Sequence, residues 1–69
     1  MDTYVIWARK EGRKLNIEAS CARYAPLPYG AKAITVVERQ DLVIMLDWCR
    51  KKRDNGWSVE RMRAACEMS

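Results

Sequence analysis

Histidine and phenylalanine are absent from this 69-residue chain, and glycine, proline and cysteine number only three, two and three. Without histidine the commonest general base is missing, and so is the usual partner of cysteine in zinc sites. The glycines stand alone at positions 12, 30 and 56, so no glycine-rich phosphate loop forms. Cys21, Cys49 and Cys66 are odd in number and widely spaced, with no Cys-x-x-Cys. That pattern predicts reduced packing thiols, and it argues against both a disulfide framework and a metal site. No apolar run approaches the length of a bilayer span, and the first residues lack the basic-then-apolar plan of a signal peptide. These absences predict a non-catalytic cytoplasmic protein with no cofactor, no metal and no membrane contact.

What is present reads as one small folded domain, residues 1–69. Hydrophobic residues make up 49% and charged residues 32%, a balance that excludes wholesale disorder. A chain this short buries only about 60% of its unfolded surface, so its core is marginal without help from a partner. The net charge of +4 permits attraction to nucleic acid or to an acidic protein surface.

The longest apolar stretch, residues 38–54, organises the rest. Leu42, Met45, Leu46 and Cys49 recur at helical spacing on one face. Asp41 near the start and Arg50–Arg53 at the end suit the helix dipole, and Asn55-Gly56 supplies a stop. Residues 3–10 and 13–21 alternate as strands, with a hairpin loop at Lys10-Glu11-Gly12. Tyr4, Ile6 and Ala8 share one strand face, which leaves Val5 and Trp7 looking outward. Pro26 and Pro28 mark residues 22–31 as a connection, its tyrosines expected over the edge of the core. Residues 32–37 are β-branched enough to predict a third strand, although Thr35 and Glu38 also stand at capping-box spacing. Ser58 caps a short final helix over about residues 59–67, with Val59, Met62 and Cys66 as its apolar stripe. The expected architecture is α+β: a small antiparallel sheet, formed by a β-hairpin and a third strand, covered by one long helix and followed by a short C-terminal one.

Two kinds of surface residue stand out as candidate sites. On the long helix, Ile44 and Trp48 form a second apolar seam that one small sheet cannot cover. Together with Tyr4, Trp7 and Tyr29 they form a candidate protein-binding surface, since exposed aromatics beside arginine are the composition of interface hot spots. Spare apolar surface and strand edges also invite self-association. The second kind is basic: Arg9, Lys10, Arg13 and Lys14 around the hairpin, and Arg50, Lys51, Lys52 and Arg53 ending the helix. Phosphate contacts need little more than such charges on a rigid element. Residues 54–63 also resemble the corner of a helix-turn-helix, which would place Arg61 and Arg63 near the start of a recognition helix.

In build, the framework of Tyr4 to Ala8, Leu15 to Cys21 and Leu42 to Cys49 resembles the small inhibitor proteins that phages encode, anti-CRISPR proteins among them. That resemblance implies a stoichiometric inhibitor that occludes a surface of a larger host complex. Many such inhibitors are acidic mimics of nucleic acid, whereas this chain is basic. Binding of a protein partner is therefore the leading expectation, with a nucleic-acid-binding regulator as its rival.

Overall fold

The computed structural model describes residues 2–24 and 26–67. Its elements follow in the order β1 (Thr3–Glu11), β2 (Lys14–Cys21), β3 (Ala31–Glu38), α1 (Arg39–Asp54) and α2 (Val59–Glu67). The α+β architecture read from the sequence is the one found. Strand β1 runs one residue further than expected, because Glu11 pairs with Lys14 and leaves Gly12-Arg13 as the turn. Gly12 supplies the positive φ, +62°, that such a tight hairpin needs. Glu11 is held in line by its neighbours: Arg9 Nη2 donates to one of its carboxylate oxygens at 2.6 Å and Asn16 Nδ2 to the other at 2.5 Å.

The third strand is present and lies on the far side of β1, giving the order β2-β1-β3 with both pairings antiparallel. One extra residue of β3, Ile34, is accommodated opposite the Ile6–Trp7 step. This bulge lets Ile34 turn into the core, where it is 4% exposed. Strands β2 and β3 therefore run parallel to each other, and residues 22–30 must travel the length of the sheet while crossing β1. From Cys21, opposite Tyr4, to Ala31, opposite Arg9, the span is about 20 Å, well within reach of the chain between them. The Thr3 carbonyl accepts from the Ala22 amide, so the odd-numbered residues of β1 bond towards β2. With that orientation, the right-handed rule for such crossovers directs the connection over the face of Val5 and Trp7, away from the helices.

This topology corrects the reading of Trp7 as an outward-facing contact residue. The ring is 4% exposed, its Nε1 donates to Ser20 Oγ at 2.9 Å, and the Arg9 guanidinium lies 5.9 Å from its centroid. Trp7 is thus a second, small core on the sheet face opposite the helices. Replacing Ser20 by alanine leaves the indole N–H without its acceptor inside that site. The expected cost is about 1–3 kcal/mol, read as a lower urea midpoint with an unchanged slope.

The main core lies on the other face. Ile6, Ala8, Ile17 and Ile34 of the sheet meet Cys49 of α1 and Val59 and Met62 of α2. Leu42, Met45 and Leu46 pack against this cluster from α1, as their helical spacing predicts, and Trp48, expected on a second seam left uncovered by the sheet, packs against it too. Helix α1 ends in a Schellman motif: the Gly56 amide donates to the Arg53 carbonyl and the Trp57 amide to the Lys52 carbonyl. Gly56, at φ +86°, supplies the left-handed residue this ending requires. Helix α2 starts as expected on Ser58, whose Oγ accepts from the Arg61 amide at 3.2 Å. Among the described residues no helix is long and apolar enough to cross a membrane.

Burial acts chemically on Cys49. Removal from water, reinforced by the neighbouring Cys66 thiol, raises its pKa from 9.0 to about 11. The unfolded chain releases this proton at the ordinary value, while the folded chain keeps it. Its contribution to stability is therefore whole below about pH 9 and is lost as pH rises towards 11. A Cys49→Ala variant should show a flatter decline of the urea midpoint between pH 8 and 11 than the parent protein.

Candidate nucleic-acid interface

Two hydrogen-bonded ties bring one end of the molecule together. At the end of α1, Arg53 Nη1 donates to the Leu15 carbonyl of β2 at 3.3 Å. Across the sheet, Lys32 Nζ of β3 donates to Glu60 Oε1 of α2 at 2.9 Å. The hairpin tip, the C-terminus of α1 and the N-terminus of α2 are thereby gathered, although they are far apart in sequence. One shallow groove is lined by Arg13, Lys14, Leu15, Arg53 and Trp57. A second, of about 390 Å³, is lined by Lys10, Arg13, Gly30, Lys32 and the Ser58–Glu60 start of α2. Arg13 belongs to both.

Trp57 is the hinge of this end. Its ring meets Trp48 edge to face, with centroids 5.9 Å apart and planes at 82°. The Arg61 guanidinium lies 3.9 Å from the Trp57 centroid, and Lys52 Nζ lies 5.0 Å from Trp57 and 5.6 Å from Trp48. These stacked cations are held in place at the surface, where a flexible lysine or arginine would otherwise roam. The Lys32 ammonium, donating to Glu60, holds that carboxyl below its usual range, so Glu60 is ionised and offsets one positive charge.

The charge balance is lopsided. Seven basic residues converge here, Lys10, Arg13, Lys14, Lys32, Lys52, Arg53 and Arg61, beside only Glu11, Asp54 and Glu60. The other six basic and six acidic residues of the chain cancel, so the whole net charge of +4 sits at this end. A depression at the opposite end, lined by Asp2, Arg23, Glu38, Arg39 and Gln40, mixes the signs instead.

Not every basic residue singled out from sequence joins the cluster. Lys51 pairs with Asp47 at 3.0 Å, the favourable i, i+4 arrangement on α1. Arg50 is exposed on α1 without lining either groove. Arg63 shares a patch with Glu60, Ala64 and Glu67, so the outer face of α2 alternates in charge where a groove-reading helix would be basic. Arg9 is drawn towards Trp7 and Glu11. Conversely, Lys32 and Trp57 belong to the cluster and were not singled out for it. The signal for Lys32 lies in strand register, where it pairs with Ala8 of β1.

The residues expected to meet a protein divide. Trp48 packs against the core and Tyr4 is half-buried in β1. On the outer face of α1, Ile44 is 69% and its neighbour Val43 74% exposed. Tyr29 is 100% exposed, and Tyr24 is exposed as well. The tyrosines of the connection therefore do not lie over the core edge: both sit in hydrogen-bonded turns, Tyr24 donating its amide to the Cys21 carbonyl and Tyr29 lying between Pro28 and Ala31, whose backbones are bonded. Among the described residues no cluster of three or more His, Cys, Asp or Glu side chains forms a metal-binding set. No protein family, no curated protein and no solved structure matches this chain.

Proposed function

We propose that the protein is a small non-catalytic module that binds the phosphate backbone of nucleic acid through this basic end. The observation that carries the reading is the gathering of the charge excess at one end by residues from all five elements. Charge concentrated in this way attracts a polyanion far more strongly than the same charge spread evenly, and it steers encounter. Backbone contacts of this kind give affinity without reading sequence. The test is a titration of a labelled oligonucleotide across a salt series. Four phosphate contacts predict a log–log slope between about −3 and −4, which is roughly a hundredfold loss of affinity from 50 to 200 mM salt. Binding that ignores salt, or no binding at 50 mM salt, would overturn the proposal.

A second reading rests on a different observation, the adjacent exposed pair Val43 and Ile44 on α1. In this reading the protein is a stoichiometric inhibitor or regulator that docks on a protein partner through the outer face of the helix. Two residues fall well short of the ~800 Å² per partner that a stable interface needs, so the surroundings of the pair would have to contribute. Ile44→Glu would then abolish the protein complex and leave oligonucleotide binding intact.

A further inference from the structure

Backbone contacts leave Tyr29 unexplained. The residue is 100% exposed, so its ring adds nothing to the core, yet its backbone is part of a defined turn. The Ala31 amide donates to the Pro28 carbonyl at 3.0 Å, closing a four-residue turn over Pro28-Tyr29-Gly30-Ala31. Gly30, third in that turn, has φ +79°, the mark of a type II turn. Tyr29 therefore stands at the second position of a hydrogen-bonded turn, with its ring in solvent.

The turn stands at the rim of the basic end. Gly30, the next residue, lines the same groove as Lys10, Arg13 and Lys32. The other exposed tyrosine, Tyr24, follows the opposite end of the sheet, where Cys21 pairs with Tyr4. The aromatic faces nearer the cluster already carry cations: Trp57 holds Arg61 and Lys52, and Trp48 holds Lys52. Tyr29, one residue before the groove-lining Gly30, thus supplies an open aromatic face next to this groove.

Building on the nucleic-acid reading above, we propose that the ligand is single-stranded, with its phosphates along Lys10, Arg13 and Lys32 and one base stacked on Tyr29. A base offers its flat face only when it is unpaired, because in a duplex both faces are covered by neighbouring pairs. A positive groove with an aromatic platform at its edge is the arrangement that single strands use, and it tolerates any base. A turn-mounted tyrosine also loses little freedom on stacking, having only two side-chain torsions to fix.

The test compares oligothymidylate of about twelve nucleotides with a duplex of the same length, within the site size of small single-strand binders. The parent protein should prefer the single strand. Tyr29→Ala should weaken single-strand binding roughly tenfold, leave duplex binding unchanged, and keep the same salt slope, since stacking releases no counterions. Tyr29→Trp should restore the preference. Equal affinity of parent and Tyr29→Ala for oligothymidylate, with salt-dependent binding intact, would overturn the stacking proposal and leave the backbone reading standing. Absence of salt-dependent binding in the parent protein would instead overturn the backbone reading, and this proposal with it.

Discussion

Charge reversal at Arg13 and Lys14 is expected to weaken oligonucleotide binding by roughly a hundredfold at 50 mM salt and to flatten the salt slope by about 1.5–2. Both side chains are exposed at the hairpin tip and both line the groove shared with Arg53 and Trp57. Neither packs in the core, so the double variant should fold. The matched control is Arg23→Glu with Arg39→Glu, which changes the net charge by the same amount. Those residues line the mixed-sign depression at the other end of the molecule. Helix α1 alone separates Arg39 from Arg53 by about 20 Å along its axis, beyond the ~14 Å screening length at 50 mM salt. The control should therefore bind within about threefold of the parent. Equal losses in the two variants would mean that net charge, and not its placement, sets the affinity.

Met62→Ala carries the largest expected effect on folding. Met62 is fully buried, and it joins α2 to a cluster containing Ile6, Ile34 and Cys49. Truncating such a side chain costs about 2–5 kcal/mol in transfer and cavity terms. A domain of 69 residues has a total stability of only about 3–10 kcal/mol at typical values per residue. The variant should lose a large share of its stability, seen as a collapse of the urea midpoint. Ile44→Ala, on the exposed face of α1, should stay within about 0.5 kcal/mol of the parent. Since α2 also carries Arg61, undocking it should weaken oligonucleotide binding at the same time.

Much of the fold is legible in the sequence because its signals are local. Leu42, Met45, Leu46 and Cys49 announce their shared face through spacing alone, and Gly56 and Ser58 punctuate the two helices by chemistry that acts within one turn. Gly12 likewise marks the hairpin, with an error of one residue because Glu11 is captured by Arg9 and Asn16. The fate of Trp7 is not local. Its alternation in β1 places it correctly on the face away from the helices, but what covers that face depends on β3 pairing with the far edge of β1. Nothing within residues 3–10 encodes that choice. The same holds for the basic end. Arg9–Lys14 and Arg50–Arg53 are conspicuous in sequence as two clusters, and they merge only because Arg53 reaches the Leu15 carbonyl. Lys32 joins them by register, and the tertiary fold leaves Arg50, Lys51 and Arg63 out.

The most direct test of the central claim is an amide nitrogen–proton NMR titration of the labelled protein with oligothymidylate at low salt. Shifts confined to the hairpin tip, residues 29–32, and the junction between α1 and α2 around Trp57 are the predicted result. Shifts centred on Val43 and Ile44, or none at all, would contradict it.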